Sequence, residues 1–219
     1  MKKGLAELVF ILDKSGSMAG LESDTIGGYN SVLEKQKAVE GECNITTVLF
    51  DNRYELLHDR IDLCAISPLT TREYQVGGTT ALLDAIGKTI NKIGGVQKHT
   101  AEDYRAEKVM FVIITDGLEN ASCEFSLDQV KRMIEHQKEQ YDWEFIFLGA
   151  NIDAVEVASH FGIGANRAQT YLADHEGTRV TYNTVAEAAV ALRGAPAGVP
   201  LADSWSRRIE KDRKTRGGE

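Results

Sequence analysis

Five oxygen-bearing side chains stand where this sequence could do chemistry. Asp13, Ser15 and Ser17 occupy alternate positions in Glu7 to Met18, which reads ELVFILDKSGSM. Asp116 comes directly after the apolar run Lys108 to Thr115 (KVMFVIIT) and before Gly117. Thr79 follows Gly77-Gly78 at the entry to a patterned helix, with Thr80 as the alternative. Carboxylates and hydroxyls without nitrogen or sulfur donors suit hard cations. Two carboxylates and three hydroxyls suit an octahedral Mg²⁺ that keeps some water, with Mn²⁺ or Ca²⁺ as alternatives. Taken singly, each residue has a plainer reading. Ser15 and Ser17 are ordinary turn residues, Asp116-Gly117 a turn after a strand, and Thr79 a helix cap. Taken together, the metal site is the better reading.

The elements that must position these residues follow from patterning. Leu8 to Leu12 is a short apolar run of branched and aromatic residues, which predicts a strand buried on both faces. Cys43 to Phe50 predicts a second strand, and the alternating stretch Tyr54 to Arg60 pairs with it as an antiparallel edge hairpin. Lys108 to Thr115 predicts the central strand, Trp143 to Leu148 another, and Ala168 to Leu172 a short last one. Helices are predicted over Ser23 to Val39, Ala81 to Val96 with Gly94-Gly95 as its stop, Ser126 to Gln140, a short stretch ending at His160, and Thr184 to Arg193. Ser126-x-x-Gln129 and Thr184-x-x-Glu187 read as capping boxes. Strand and helix alternate, so the expected class is α/β: a doubly wound, mostly parallel sheet with one antiparallel edge strand and helices on both faces. In such sheets ligands bind beyond the carboxyl ends of the strands. Asp13 and Asp116 both fall at that edge, and Thr79 can reach it. One domain is expected over 1–193. The stretch 194–219 reads as a linker (GAPAGVP) and a charged tail, either mobile or docked, with a solvated terminus as the favoured reading. Lys14 is expected to be exposed. Glu119 and Asn120 are expected either to line the rim or to be simply solvated, and Gly16 and Gly117 to serve backbone shape.

With those pieces in order, the chain resembles a von Willebrand factor type A domain over roughly Leu5 to Arg193. The carriers are Asp13-x-Ser15-x-Ser17 after an apolar strand, Gly77-Gly78-Thr79 opening a helix, and Thr115-Asp116-Gly117 after another strand. The resemblance implies a Rossmann-like fold and a metal-ion-dependent adhesion site. It implies that Ser15, Ser17 and Thr79 coordinate the cation directly, and that Asp13 and Asp116 bind it directly or through water. It also implies a last coordination position for water or for an acidic side chain of a partner protein. Neutral hydroxyls leave such a cation under-compensated, so it still attracts an outside carboxylate. The expected function is therefore a divalent-cation-dependent protein-binding module of the intracellular bacterial or phage type.

Rival functions fare worse. A haloacid-dehalogenase-type phosphatase needs an aspartate where Ser15 stands. No P-loop and no nucleophile elbow is present, and Gly162-x-Gly164 lacks a third glycine because Arg167 occupies its place. The five histidines lie outside the motif segments, so no general base can be named and no catalytic residue is expected. A metal-dependent hydrolase or phosphotransferase, and a purely structural metal, remain the alternatives. The formal net charge of −8 argues against general nucleic-acid binding. The apolar run after Met1-Lys2-Lys3 is too short for a signal peptide, and nothing approaches the ~20 apolar residues of a membrane span. Cys43, Cys64 and Cys123 are odd in number and lack Cys-x-x-Cys spacing, so they read as thiols of a reducing compartment. The expected location is the cytoplasm.

Overall fold

Leu8 to Leu12 is apolar at every position because the strand that carries it separates two cores. The computed structural model describes residues 1–217. In it β1 (Lys2–Asp13) sends Leu8, Phe10 and Leu12 into one buried layer and Val9 and Ile11 into the other. β1 pairs in parallel with β2 (Cys43–Phe50) on one side and with β4 (Ala106–Thr115) on the other. β3 (Tyr54–Asp62) pairs antiparallel with β2, whereas β5 (Glu144–Ala150) and β6 (Ala168–Tyr171) continue the sheet in parallel beyond β4. The order is β3-β2-β1-β4-β5-β6. It is the mixed sheet expected from the sequence, with one antiparallel edge strand.

Helices cover both faces. α1 (Glu22–Lys37) and α5 (His175–Gly194) pack over Leu8, Phe10, Leu12, Met110, Val112 and Ile114. α2 (Leu82–His99), α3 (Leu127–Tyr141) and α4 (Ala154–His160) pack over Val9, Ile11, Phe111 and Ile113. Each fully buried side chain of this kind contributes about 1.5–3 kcal/mol. The central strands are thus the anchored part of the molecule, and their carboxyl ends project from a fixed base. Gly28, which weakens α1 as an isolated helix, lets α5 approach it. A Cβ there would stand 2.4 Å from the Tyr182 ring.

Four local expectations are corrected. α2 does not stop at Gly94-Gly95. Neither glycine takes the left-handed conformation that ends a helix, and α2 runs on to His99, where Thr100 Oγ1 bonds back to Val96 O at 2.7 Å. Thr184 opens no helix: it lies inside α5 and donates to Val180 O at 2.8 Å, and the cap is Asp174, which accepts from Gly177 N at 2.7 Å. The Ser126–Gln129 capping box, by contrast, is formed in full. Lys14 is buried, with Nζ 2.6 Å from Glu55 Oε2 across the β1–β2–β3 end of the sheet.

The fourth concerns the charged tail, which folds back onto the domain. α6 (Arg207–Arg216) packs against α5 and β6, and Leu201 and Ile209 are buried in the α1–α5 core layer. Arg167 anchors the strap that leads there, reaching Glu144 Oε2 at 2.8 Å, Asp203 Oδ1 at 2.9 Å and Leu201 O at 2.6 Å. Composition alone reads this stretch as solvated. Leu201, Trp205 and Ile209 are too few to announce a buried face.

Candidate functional site at the carboxyl edge of the sheet

The parallel register sets the site. Leu12 stands beside Ile114, and Thr115 beside Gly149, so the ends of β1, β4 and β5 emerge side by side. Asp13 ends β1 and is buried. Its Oδ1 accepts from Ser15 N at 2.7 Å and its Oδ2 from Thr115 Oγ1 at 2.6 Å, and its main-chain carbonyl accepts from Tyr74 OH. Both carboxylate oxygens are therefore oriented by the protein. The backbone then turns into a short 3₁₀ turn, Gly16–Met18, which brings Ser15 Oγ and Ser17 Oγ to 3.1 Å of one another.

The loop before α2 is laced to that turn. Gly16 N donates to Gly78 O at 3.1 Å, and Gly77 N donates to Lys14 O at 2.9 Å. Gly77 and Gly78 both have positive φ, +159° and +76°, so the chain can reverse there. The reversal decides which threonine faces inward. Thr79 is exposed, whereas Thr80 is buried. Thr80 N donates to Asn120 Oδ1 at 2.9 Å and Thr80 O accepts from Asn120 N at 3.0 Å. A Cβ built on Gly117 would stand 3.2 Å from Thr80 Oγ1 and 3.2 Å from Ser17 Oγ. The hydroxyls of Ser17 and Thr80 thus converge over the Asp116-Gly117 backbone. Of the five residues expected from the sequence, the structure brings together Asp13, Ser15, Ser17 and Asp116. The threonine hydroxyl it sets beside Ser17 Oγ over Gly117 is that of Thr80, whereas Thr79, expected in that role, is exposed. Thr80 is also no helix cap, because α2 begins after Ala81 and its first N–H groups are met from the 119–122 loop. Glu119 Oε2 accepts from Leu83 N at 2.8 Å, and Ser122 Oγ accepts from Asp84 N at 3.0 Å.

Asp116 is 4% exposed, and its Oδ1 accepts from the Asn151 side-chain amide. Burial pushes the carboxyl of Asp13 above the ordinary value, against the bonds from Ser15 and Thr115. Burial also pushes Asp116 up, opposed by Asn151 and reinforced by the nearby charge of Asp13. Two desolvated carboxylates that repel one another gain from a cation between them. Three hydroxyls converge with them, and Gly117 leaves open a space that a methyl group would fill. The donor set therefore fits a hard divalent cation. Among the described residues no three His, Cys, Asp or Glu side chains cluster as a metal site. This set has only two acidic members and leans on hydroxyls.

The sequence does not single out Tyr74 or Asn151; it marks Thr115 only within Thr115-Asp116-Gly117 and Asn120 only at the rim. The position of Thr115 beside Asp13 follows from the parallel pairing of β1 and β4. Asn151 directly follows a third strand, β5, at the same edge, which is the signal that points to it. Tyr74 comes from an irregular loop and carries no such signal, and nothing local shows that Asn120 clasps Thr80.

No family model matches the chain, and no curated protein matches it by sequence. Solved structures match it by fold. The ArnB paralog VWA2 from Sulfolobus acidocaldarius superposes with a TM-score of 0.53 at 18% identity, covering 86% of this chain and 45% of that one. Proximal thread matrix protein 1 from the mussel byssus, with a zinc-occupied MIDAS motif, gives 0.57 at 13% identity, covering 85% and 46%. The von Willebrand factor type A protein from Catenulispora acidiphila gives 0.57 at 12% identity, covering 85% and 42%. The fold is that of von Willebrand factor type A domains. The chain spans less than half the length of these structures.

Proposed function

We propose that this chain is a divalent-cation-dependent protein-binding module, in which Asp13, Ser15, Ser17, Thr80 and Asp116 hold the cation. The observation that carries this reading is the convergence of the Ser17 and Thr80 hydroxyls over Asp116-Gly117, beside two carboxylates whose charges burial disfavours. Mg²⁺ suits the donor set best, with Mn²⁺ or Ca²⁺ as alternatives. The mussel protein's zinc-occupied site supports divalent-metal binding in this fold. When bound, the cation supplies an electrophilic position that an acidic side chain of a partner protein can occupy. The chain's own residues do the rest. Thr115 and the Ser15 backbone fix both Asp13 oxygens, the Gly16–Gly78 and Gly77–Lys14 bonds tie the two hydroxyl-bearing loops together, and Asn120 holds Thr80 by its backbone.

A binder, not an enzyme, is the reading the side chains favour. His58 is taken up by Thr47, His99 by Gly95 O and His175 by Asp24, and none of the three bonds to a residue of the proposed site. Among the described residues no helix is long and apolar enough to cross a membrane. Cys64 and Cys123 are free and exposed, which suits a reducing compartment, and we place the protein in the cytoplasm, as in the intracellular bacterial or phage type.

The test is thermal melting in EDTA and then with Mg²⁺, Mn²⁺ or Ca²⁺, for the wild type and Asp13→Ala. A cation at 100 times its Kd stabilises the folded state by about 2.7 kcal/mol. A rise in Tm that Asp13→Ala abolishes supports the site and leads to a cation-dependent capture of acidic partners. No rise with any cation at millimolar concentration sinks the reading.

A further inference from the structure

We propose that Asn151 is a positioning residue of this site, holding Asp116 so that one carboxylate oxygen stays free for the cation. The inference rests on the cation reading given above. Asn151 follows β5, the third strand whose end reaches this edge. Its side-chain amide donates to Asp116 Oδ1, and Asp116 Oδ2 takes no hydrogen bond from the described residues. One oxygen is thus engaged by the protein and the other is available. Asp13 differs, since the protein orients both of its oxygens.

The backbone around Asn151 is built to deliver that amide. Asn151 has φ +53°, a left-handed conformation that asparagine tolerates better than most side chains. The turn is tight: a Cβ on Gly149 would stand 2.7 Å from the Ile152 side chain and 3.0 Å from Ala154 Cβ. Ala154 N is in turn tied to Thr170 Oγ1 at 3.0 Å, which fixes the start of α4 against β6. The side chain of Asn151 is itself exposed, so core packing does not account for it. Among the described residues its one side-chain hydrogen bond goes to a buried carboxylate of the site. Residues that orient metal-binding carboxylates in this way typically change affinity 10–100-fold when removed.

Asn151→Gly separates the amide from the turn, because glycine adopts the left-handed conformation freely. The full chain, wild type, Asn151→Gly and Asp13→Ala are titrated with Mn²⁺. The free ion is read by electron paramagnetic resonance and the bound ion by water-proton relaxation. For Asn151→Gly the expected result is Mn²⁺ affinity lower by about tenfold or more, with the cation-free Tm unchanged. The relaxation enhancement per bound ion is expected to differ from wild type, because a freed Asp116 alters how many waters the ion keeps. A pure turn residue moves neither the affinity nor the enhancement. Affinity within about twofold of wild type with an unchanged enhancement overturns the proposal, whatever happens to the Tm. If the wild type binds no Mn²⁺, or Asp13→Ala binds it equally well, the cation reading itself falls and this inference falls with it.

Discussion

Gly117→Ala tests the site by a single methyl group. Gly117 is not in a left-handed conformation, so alanine meets no backbone penalty there. Its Cβ would stand 3.2 Å from Ser17 Oγ and 3.2 Å from Thr80 Oγ1, inside ordinary van der Waals contact. The two hydroxyls must retreat by a few tenths of an ångström. Metal sites tolerate distance errors of about 0.2 Å, so the same shift that relieves the methyl group spoils coordination. The cation-free fold should barely notice. Replacing glycine by alanine stabilises by about 0.4–1 kcal/mol through the unfolded chain, and mild overpacking costs about 1 kcal/mol or somewhat more. Cation binding should notice strongly. At a concentration of 100 times the wild-type Kd, the wild type gains about 2.7 kcal/mol and a variant binding tenfold more weakly gains about 1.4 kcal/mol. For a chain of this length 1 kcal/mol moves Tm by about 2–4 °C, so the cation-induced rise should shrink by about 3–5 °C. The assay is differential scanning calorimetry with EDTA and with Mg²⁺ on both proteins. A full wild-type rise in Gly117→Ala refutes the argument that Ser17 and Thr80 meet over Gly117 to hold a cation.

Two further outcomes follow from the same geometry. Thr80→Val should abolish the Mg²⁺-dependent rise in Tm and Thr79→Val should leave it intact, and calorimetry of the pair reverses the assignment if the exposed threonine proves essential. Asp84 ties the 122–125 loop to α2 by accepting from the N–H groups of Cys123, Glu124 and Phe125 at 3.0, 2.9 and 2.9 Å. Burial pushes its carboxyl up, but the N–H groups of Cys123, Phe125 and Glu124 outweigh it and hold it below the ordinary carboxylate value. Its contribution is therefore present above the unfolded-state value near pH ~3.9 and is lost as pH falls through the lower folded value. Asp84→Asn should cost about 1–3 kcal/mol at neutral pH and flatten the acid side of the stability curve, and urea titrations showing equal acid sensitivity in both proteins would remove Asp84 from the account.

The legible part of the molecule is the part in which period and burial agree. Leu8 to Leu12 and Lys108 to Thr115 announced two-faced burial, and once both were central parallel strands Asp13 and Asp116 had to share an edge. The choice between Thr79 and Thr80 was not legible, because it depends on where the chain reverses. Two positive-φ glycines, a Gly16–Gly78 bond and a clasp from Asn120, forty residues downstream, turn Thr80 inward, and no local pattern encodes a bond at that distance. Lys14 misled for a similar reason. A lysine in a polar loop is normally solvated, but its partner Glu55 sits on the antiparallel edge strand, and only the tertiary pairing of β1, β2 and β3 brings them within 2.6 Å. Thr184-x-x-Glu187 matches a capping box as a string, yet α5 begins at His175 because Asp174 accepts from Gly177 N and Thr178, Thr181, Tyr182 and Val185 continue the buried stripe. The same logic explains Asn151. Strand ends can be read from apolar runs, but a polar residue just past one becomes part of a site only when the sheet order sets its strand beside the others. The order β1-β4-β5 puts three such ends in a row, and the residue just past the third is the one whose amide reaches Asp116.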